Sequence, residues 1–212
     1  MAQLFPRWFG FLFRLGVLAT LVIVVALLLL WRAATATPIA PLEQPVPFSH
    51  KHHVGDDGID CRYCHSSVEQ SAFAGLPPLS TCMTCHSQLF TDQPPLQPLI
   101  AASQSGIPFH WQRLNKLPDF VYFNHSIHVA KGVGCETCHG RIDKMPLTAR
   151  VAPLTMQWCL DCHRDPEKNL RPRSQVFSMT WRAKDPHALG ARLMREYHID
   201  ARRLTDCSVC HR

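Results

Sequence analysis

Beyond residue 48 this sequence has few of the materials of an ordinary core, because long alternating or helical apolar runs are scarce there. Such a stretch buries little side-chain surface by itself, which leaves small room for a sheet sandwich or a plain helical bundle. No basic run is interleaved with aromatics either. Nucleic-acid binding is therefore set aside, despite a formal net charge of +6 and a pI near 8.9. Finally, no cysteine is left over: all 10 fall in five Cys-x-x-Cys-His pentads.

What is present is thus a repeated attachment motif. The pentads are Cys61-Arg62-Tyr63-Cys64-His65, Cys82-Met83-Thr84-Cys85-His86, Cys135-Glu136-Thr137-Cys138-His139, Cys159-Leu160-Asp161-Cys162-His163 and Cys207-Ser208-Val209-Cys210-His211, here sites 1 to 5. A zinc ribbon, a dithiol redox motif or a disulfide framework also uses paired cysteines, but none needs histidine directly after every second one. The spacing is that of c-type haem, two thiols forming thioethers and the histidine ligating iron. Five covalent haems are expected, with His65, His86, His139, His163 and His211 as proximal ligands. Their apolar porphyrins would supply most of the core. The expected fold is mostly irregular, with short α-helices wrapped around five c-type haems. Ten propionates would lower the net charge to about +1 oxidised and about −4 reduced, so much of the basic excess reads as propionate partners.

The first segment differs. Leu15 to Trp31 is an uncharged run of 17 residues, extended upstream by apolar Trp8 to Phe13. A bilayer takes about 20 such residues. Trp8 and Trp31 sit where interfacial anchors belong, and Arg7 and Arg14 predict a cytoplasmic N-terminus. Ala34-Thr35-Ala36 resembles a signal cleavage site, but the run is longer than a signal core, so a retained anchor is expected. Residues 1–37 then form a cytoplasmic stub and transmembrane helix in a bacterial inner membrane. A proline-rich spacer over 38–47 leads to a periplasmic domain over 48–212.

That domain carries an internal repeat. Phe48-Ser49-His50-Lys51-His52-His53 precedes site 1, and Phe123-Asn124-His125-Ser126-Ile127-His128 precedes site 3. Each leads two pentads, giving modules over 48–90 and 120–165 and a tail haem over 175–212. Ser87 to Asp119, proline-rich and without cysteine, is expected to be a long surface connection. Histidines three apart share a helical face, so His50, His53, His125 and His128 are the expected distal ligands. His52 and His110 read as surface residues. For the fifth iron the candidates are His198 and Met179. His198 closes a helix expected over 186–197, whose narrow face of His187, Gly190, Ala191 and Met194 would admit a flat ring.

Phe-x-His-x-x-His followed by Cys-Glu-Thr-Cys-His resembles class III multihaem cytochromes c. The resemblance implies that His50 and His125 ligate the haem of the next pentad, while His53 and His128 cross to neighbours. Leu117 to Ser126, Trp158 to Arg164 and the terminal Cys-Ser-Val-Cys-His-Arg are similar to the pentahaem, membrane-anchored subunit of bacterial alternative complex III. That family implies polytopic quinol-binding subunits, an iron–sulfur subunit, and a monohaem cytochrome c or terminal oxidase as partners. Asn115 stands where some relatives are expected to have histidine. The expected function is electron transfer without a catalytic residue, from a quinol-oxidising membrane complex to a periplasmic cytochrome c or terminal oxidase. The alternative is a stand-alone multihaem quinol dehydrogenase feeding a periplasmic reductase. A multihaem reductase needs an open iron, and no pentad has lysine in place of histidine.

Overall fold

The computed structural model describes residues 6–36, 40–107 and 110–211. Pro38 and Ile39 of the expected spacer and the terminal Arg212 lie outside them, as do the side chains of Arg7 and of the cleavage-like Ala34 to Ala36. Two compact units divide the chain, Met1–Thr37 and Pro38–Arg212.

The first unit is one helix, α1 (Arg7–Ala36). Within it Trp8–Ala33 is long and apolar enough to cross a membrane, and its large apolar side chains are exposed. Thr20, a polar residue in this run, is satisfied locally: its hydroxyl donates to the Gly16 carbonyl at 2.9 Å.

The second unit is built of short helices and turns, with no named strand among the described residues; Val133 and Leu170 form an isolated antiparallel bridge. The helices are α2 (Cys61–Cys64), α3 (Leu79–His86), α4 (Gln97–Ser105), α5 (His125–Ala130), α6 (Cys135–His139), α7 (Met156–Arg164), α8 (Pro186–Glu196) and α9 (Cys207–Cys210). Their starts are written locally. Asp60, Asn124, Thr155 and Asp185 each accept a backbone N–H of the first turn, the side-chain capping that such residues provide. Sites 1, 3 and 5 begin helices at their first cysteine, whereas sites 2 and 4 lie at the C-terminal ends of longer ones.

Few apolar side chains are buried. One cluster joins Leu170, Leu193 and Tyr197, with Val133, Leu189, Met194 and Ile199 against it. Here α8 differs from its sequence reading. Gly190 is pressed against the backbone of Glu167, where a Cβ would collide. The small residue makes room for protein backbone, not for a flat ring. The stretch from Ser87 to Asp119 also differs, because it is not all surface connection. Pro98 sits in the first turn of α4, and Leu99 and Ala102, three apart, are buried. Gly106 then stops the helix in a left-handed conformation (φ 70°).

Candidate haem-ligation sites

The duplicated turn folds twice into one geometry. Phe48 lies edge-on to His50 at 4.9 Å and stacks on His53 at 4.5 Å. Phe123 lies edge-on to His125 at 4.7 Å and stacks on His128 at 4.5 Å. In both turns the phenyl ring holds two imidazoles apart and aims them in different directions. The local backbones nevertheless differ: α5 is a regular helix, whereas Lys51–Asp56 forms a wider π-helical turn.

Each aimed imidazole meets a pentad. The ring centroids of His125 and His139 are 6.4 Å apart with planes within 9°. Those of His128 and His163 are 6.2 Å apart, and those of His53 and His86 are 6.1 Å apart. An imidazole nitrogen lies just over an ångström from its ring centre and binds a metal at about 2.0 Å, so two rings facing across one metal stand about 6.3 Å apart. All three separations match that arrangement. His50 lies close to His65, and burial together with the charges of His65, His53 and His139 pushes it down to about 4. Burial, with His125 and His65 nearby, does the same to His139. Both rings are therefore neutral at neutral pH, the form that binds metals.

The other ring nitrogen is occupied in all nine of these histidines. His65, His86, His163 and His211 direct Nδ1 at the carbonyls of Gly75, Leu89, Leu204 and Phe120. His53, His125 and His128 direct theirs at the carbonyls of Ser49, Ala72 and Asn124. His50 meets the Thr148 hydroxyl at 2.9 Å, and His139 meets the Asn115 side-chain amide at 3.0 Å. A proton held at Nδ1 by an acceptor fixes the tautomer and leaves Nε2 for a metal. The remaining histidines differ. His52 faces Asp56 and Asp57, and His187 faces Glu167 at 3.9 Å. His110 lines a cavity, and His198 is exposed in a left-handed conformation (φ 52°).

Comparison with known proteins identifies the family. Residues 121–212 match the family of cytochrome c7 and related cytochromes c. Over 202 residues the chain is 31% identical to the multihaem cytochrome c subunit of menaquinone reductase from Nitratidesulfovibrio vulgaris (Hildenborough), covering 90% of this chain and 87% of that one. The chain belongs to the multihaem cytochromes c. Proteins of this family carry covalently bound c-type haem.

The residues of this cytochrome suit that cofactor. None of the ten thiols is in a disulfide. Cys82 opens on a cavity of about 370 Å³ whose walls include Leu76, Pro77, Pro78, Trp111 and Arg113, an apolar slot with one cation at its edge. Arg150 Nε is buried without a hydrogen-bond partner among the described residues. It lies two residues from Thr148, the partner of His50, where a propionate would satisfy it.

Several of these residues carry no sequence signal. The carbonyls of Gly75, Leu89 and Leu204 are backbone groups, and Thr148 is one threonine among many. Asn115 stood out only by comparison with relatives, and it lies at site 3. Met179 is buried near that same site. Its carbonyl lies 3.5 Å from Arg182, whose guanidinium pairs with Glu136 of α6.

Proposed function

We propose that this chain is a membrane-anchored pentahaem cytochrome c that passes electrons between a quinol-oxidising membrane complex and a periplasmic cytochrome c or terminal oxidase. The reading rests on one observation above all: nine histidines have Nδ1 engaged, and three pairs of them stand at the separation of two ligands on one metal. When bound, a c-type haem with two histidine ligands takes up and releases one electron without changing its coordination. The cysteine pairs of sites 1 to 5 attach the five groups, and His65, His86, His139, His163 and His211 are the proximal ligands. His50, His53, His125 and His128 complete sites 1 to 4, while their Nδ1 partners hold each ring in place. For site 5 the distal ligand is His198 or Met179. Met179, packed near a site that already has two histidines, is the weaker of the two.

α1 spans the inner membrane once, with 1–37 as stub and anchor and 38–47 as spacer. The domain over 48–212 faces the periplasm, with modules over 48–90 and 120–165 and the tail haem over 175–212. The assembly is that of alternative complex III or a close counterpart, with polytopic quinol-binding subunits and an iron–sulfur subunit. The relative being a subunit of a menaquinone reductase supports a complex linked to the quinone pool. Since reduction of menaquinone runs electrons toward the quinone, the direction proposed for this chain rests on the resemblance to alternative complex III.

The test is to purify the full chain without partners, count its haems, and mix it with a reduced quinol. Five haems per chain, all low-spin and reduced only slowly, are expected. Rapid reduction would instead favour a stand-alone quinol dehydrogenase. A high-spin haem that binds cyanide or nitrite readily would favour a reductase.

A further inference from the structure

We infer that the five attachment sites lie in the spatial file 2–1–3–4–5, so that sites 2 and 5 are its ends and site 3 its middle. The inference rests on the bis-histidine reading of sites 1 to 4 and goes beyond it, because neither the motif order nor the module repeat predicts the file. Chain order would put site 1 at one end.

Neighbouring sites touch in pairs. Sites 2 and 1 are joined by the Tyr63 hydroxyl against that of Thr84 at 2.9 Å, and Cys82 is within electrostatic reach of Cys64. Sites 1 and 3 are joined where the backbone N–H groups of His125 and Ser126 donate to the carbonyls of Ala72 and Ser71. Cys135 feels Cys61, and His139 feels His65. Sites 3 and 4 are bridged by α5 itself, which sends His125 to one and His128 to the other. Cys138 is correspondingly close to Cys159 and Cys162. Sites 4 and 5 meet where His163 Nδ1 is held by the Leu204 carbonyl, three residues before Cys207, and where Cys159 feels Cys210.

Exposure supports the same order independently. Of the ten cysteines, Cys85 and Cys207 are the exposed ones, and they belong to sites 2 and 5. Apolar side chains flank both ends in the open: Leu89 and Phe90 beside His86, and Phe120 beside His211. Gln44, early in the second unit, lies at the site 2 end. Gln44 and Gln112 exchange two hydrogen bonds, next to Trp111 and Arg113 of the Cys82 cavity.

Adjacency can be read from redox coupling, since the interaction between charges falls with their separation. The full chain carries His50→Met, His53→Met, His125→Met or His128→Met, each marking one site by its own spectrum and raising its own potential. Midpoints are followed by electron paramagnetic resonance during a redox titration. His53→Met is expected to shift the midpoint of site 1 and to leave sites 3, 4 and 5 in place. His125→Met is expected to shift sites 1 and 4. If His125→Met does not accumulate, His128→Met serves instead and is expected to shift sites 3 and 5 only. A His53→Met that moves site 3 or 4 more than site 1 overturns the file while leaving the ligand assignment intact. If no substitution alters any low-spin signal, the ligand assignment itself fails, and the file falls with it.

Discussion

A histidine in this cytochrome takes its role from what holds its second nitrogen. His52 and His53 are adjacent in sequence, yet the structure separates them: the first faces two surface carboxylates, the second gives Nδ1 to the Ser49 carbonyl and faces His86. The pentads and the paired Phe-x-His-x-x-His motifs singled out nine histidines as expected ligands, and the structure gives each of them a partner at Nδ1. Their partners were not legible, because most are backbone carbonyls that any residue supplies. Asn115 is the exception, a side chain positioned on His139. In the tautomer that leaves Nε2 for iron, the ring N–H donates and the amide turns its oxygen toward it. Asn115→Leu is expected to leave the haem content unchanged while shifting the potential and the resonance signal of site 3 alone, because a partner on the ring's other nitrogen orients and tunes a ligand rather than attaching it. Unchanged spectra would remove Asn115 from that role.

Among the elements, α8 shows where pattern reading stops. The helix expected over 186–197 is found at Pro186–Glu196, with Pro186 in its first turn and Asp185 as its cap. Which object its small-residue face meets was not readable, since a glycine that admits a porphyrin looks the same as one that admits a peptide backbone. Gly190 meets the backbone of Glu167, and Leu193 and Tyr197 pack on Leu170 beyond it. Gly190→Ala should therefore cost about 2 kcal/mol through overpacking, although alanine is ordinarily the better helix former by about 1 kcal/mol. A lowered midpoint of thermal unfolding, with haem content unchanged, is the expected result. Gly16→Ala in α1, where nothing lies within 4 Å, should show no such clash. A similar limit applies to α4: proline and the absence of cysteine marked its region as a connection, and only packing revealed the buried face of Leu99 and Ala102.

For the molecule as a whole, charge offers a direct check. The polypeptide alone has a pI near 8.9 and a formal charge of +6, but five ferric haems, each about +1 at the iron with two propionates, would bring the oxidised protein to about +1. Isoelectric focusing of the purified cytochrome should place it well below the value for the bare chain; a pI unchanged from that value would contradict five bound haems. The sequence by itself determined the attachment chemistry and the apolar N-terminal helix. These depend on residue type and spacing along a chain, and covalent attachment needs nothing more. Only the tertiary structure supplied the groups that hold each Nδ1, the pentad histidines that His53 and His128 face, and the contacts from which the order of the sites is inferred. Those are distances between segments up to 98 residues apart, as where His50 meets Thr148, and no local pattern encodes how far a loop returns.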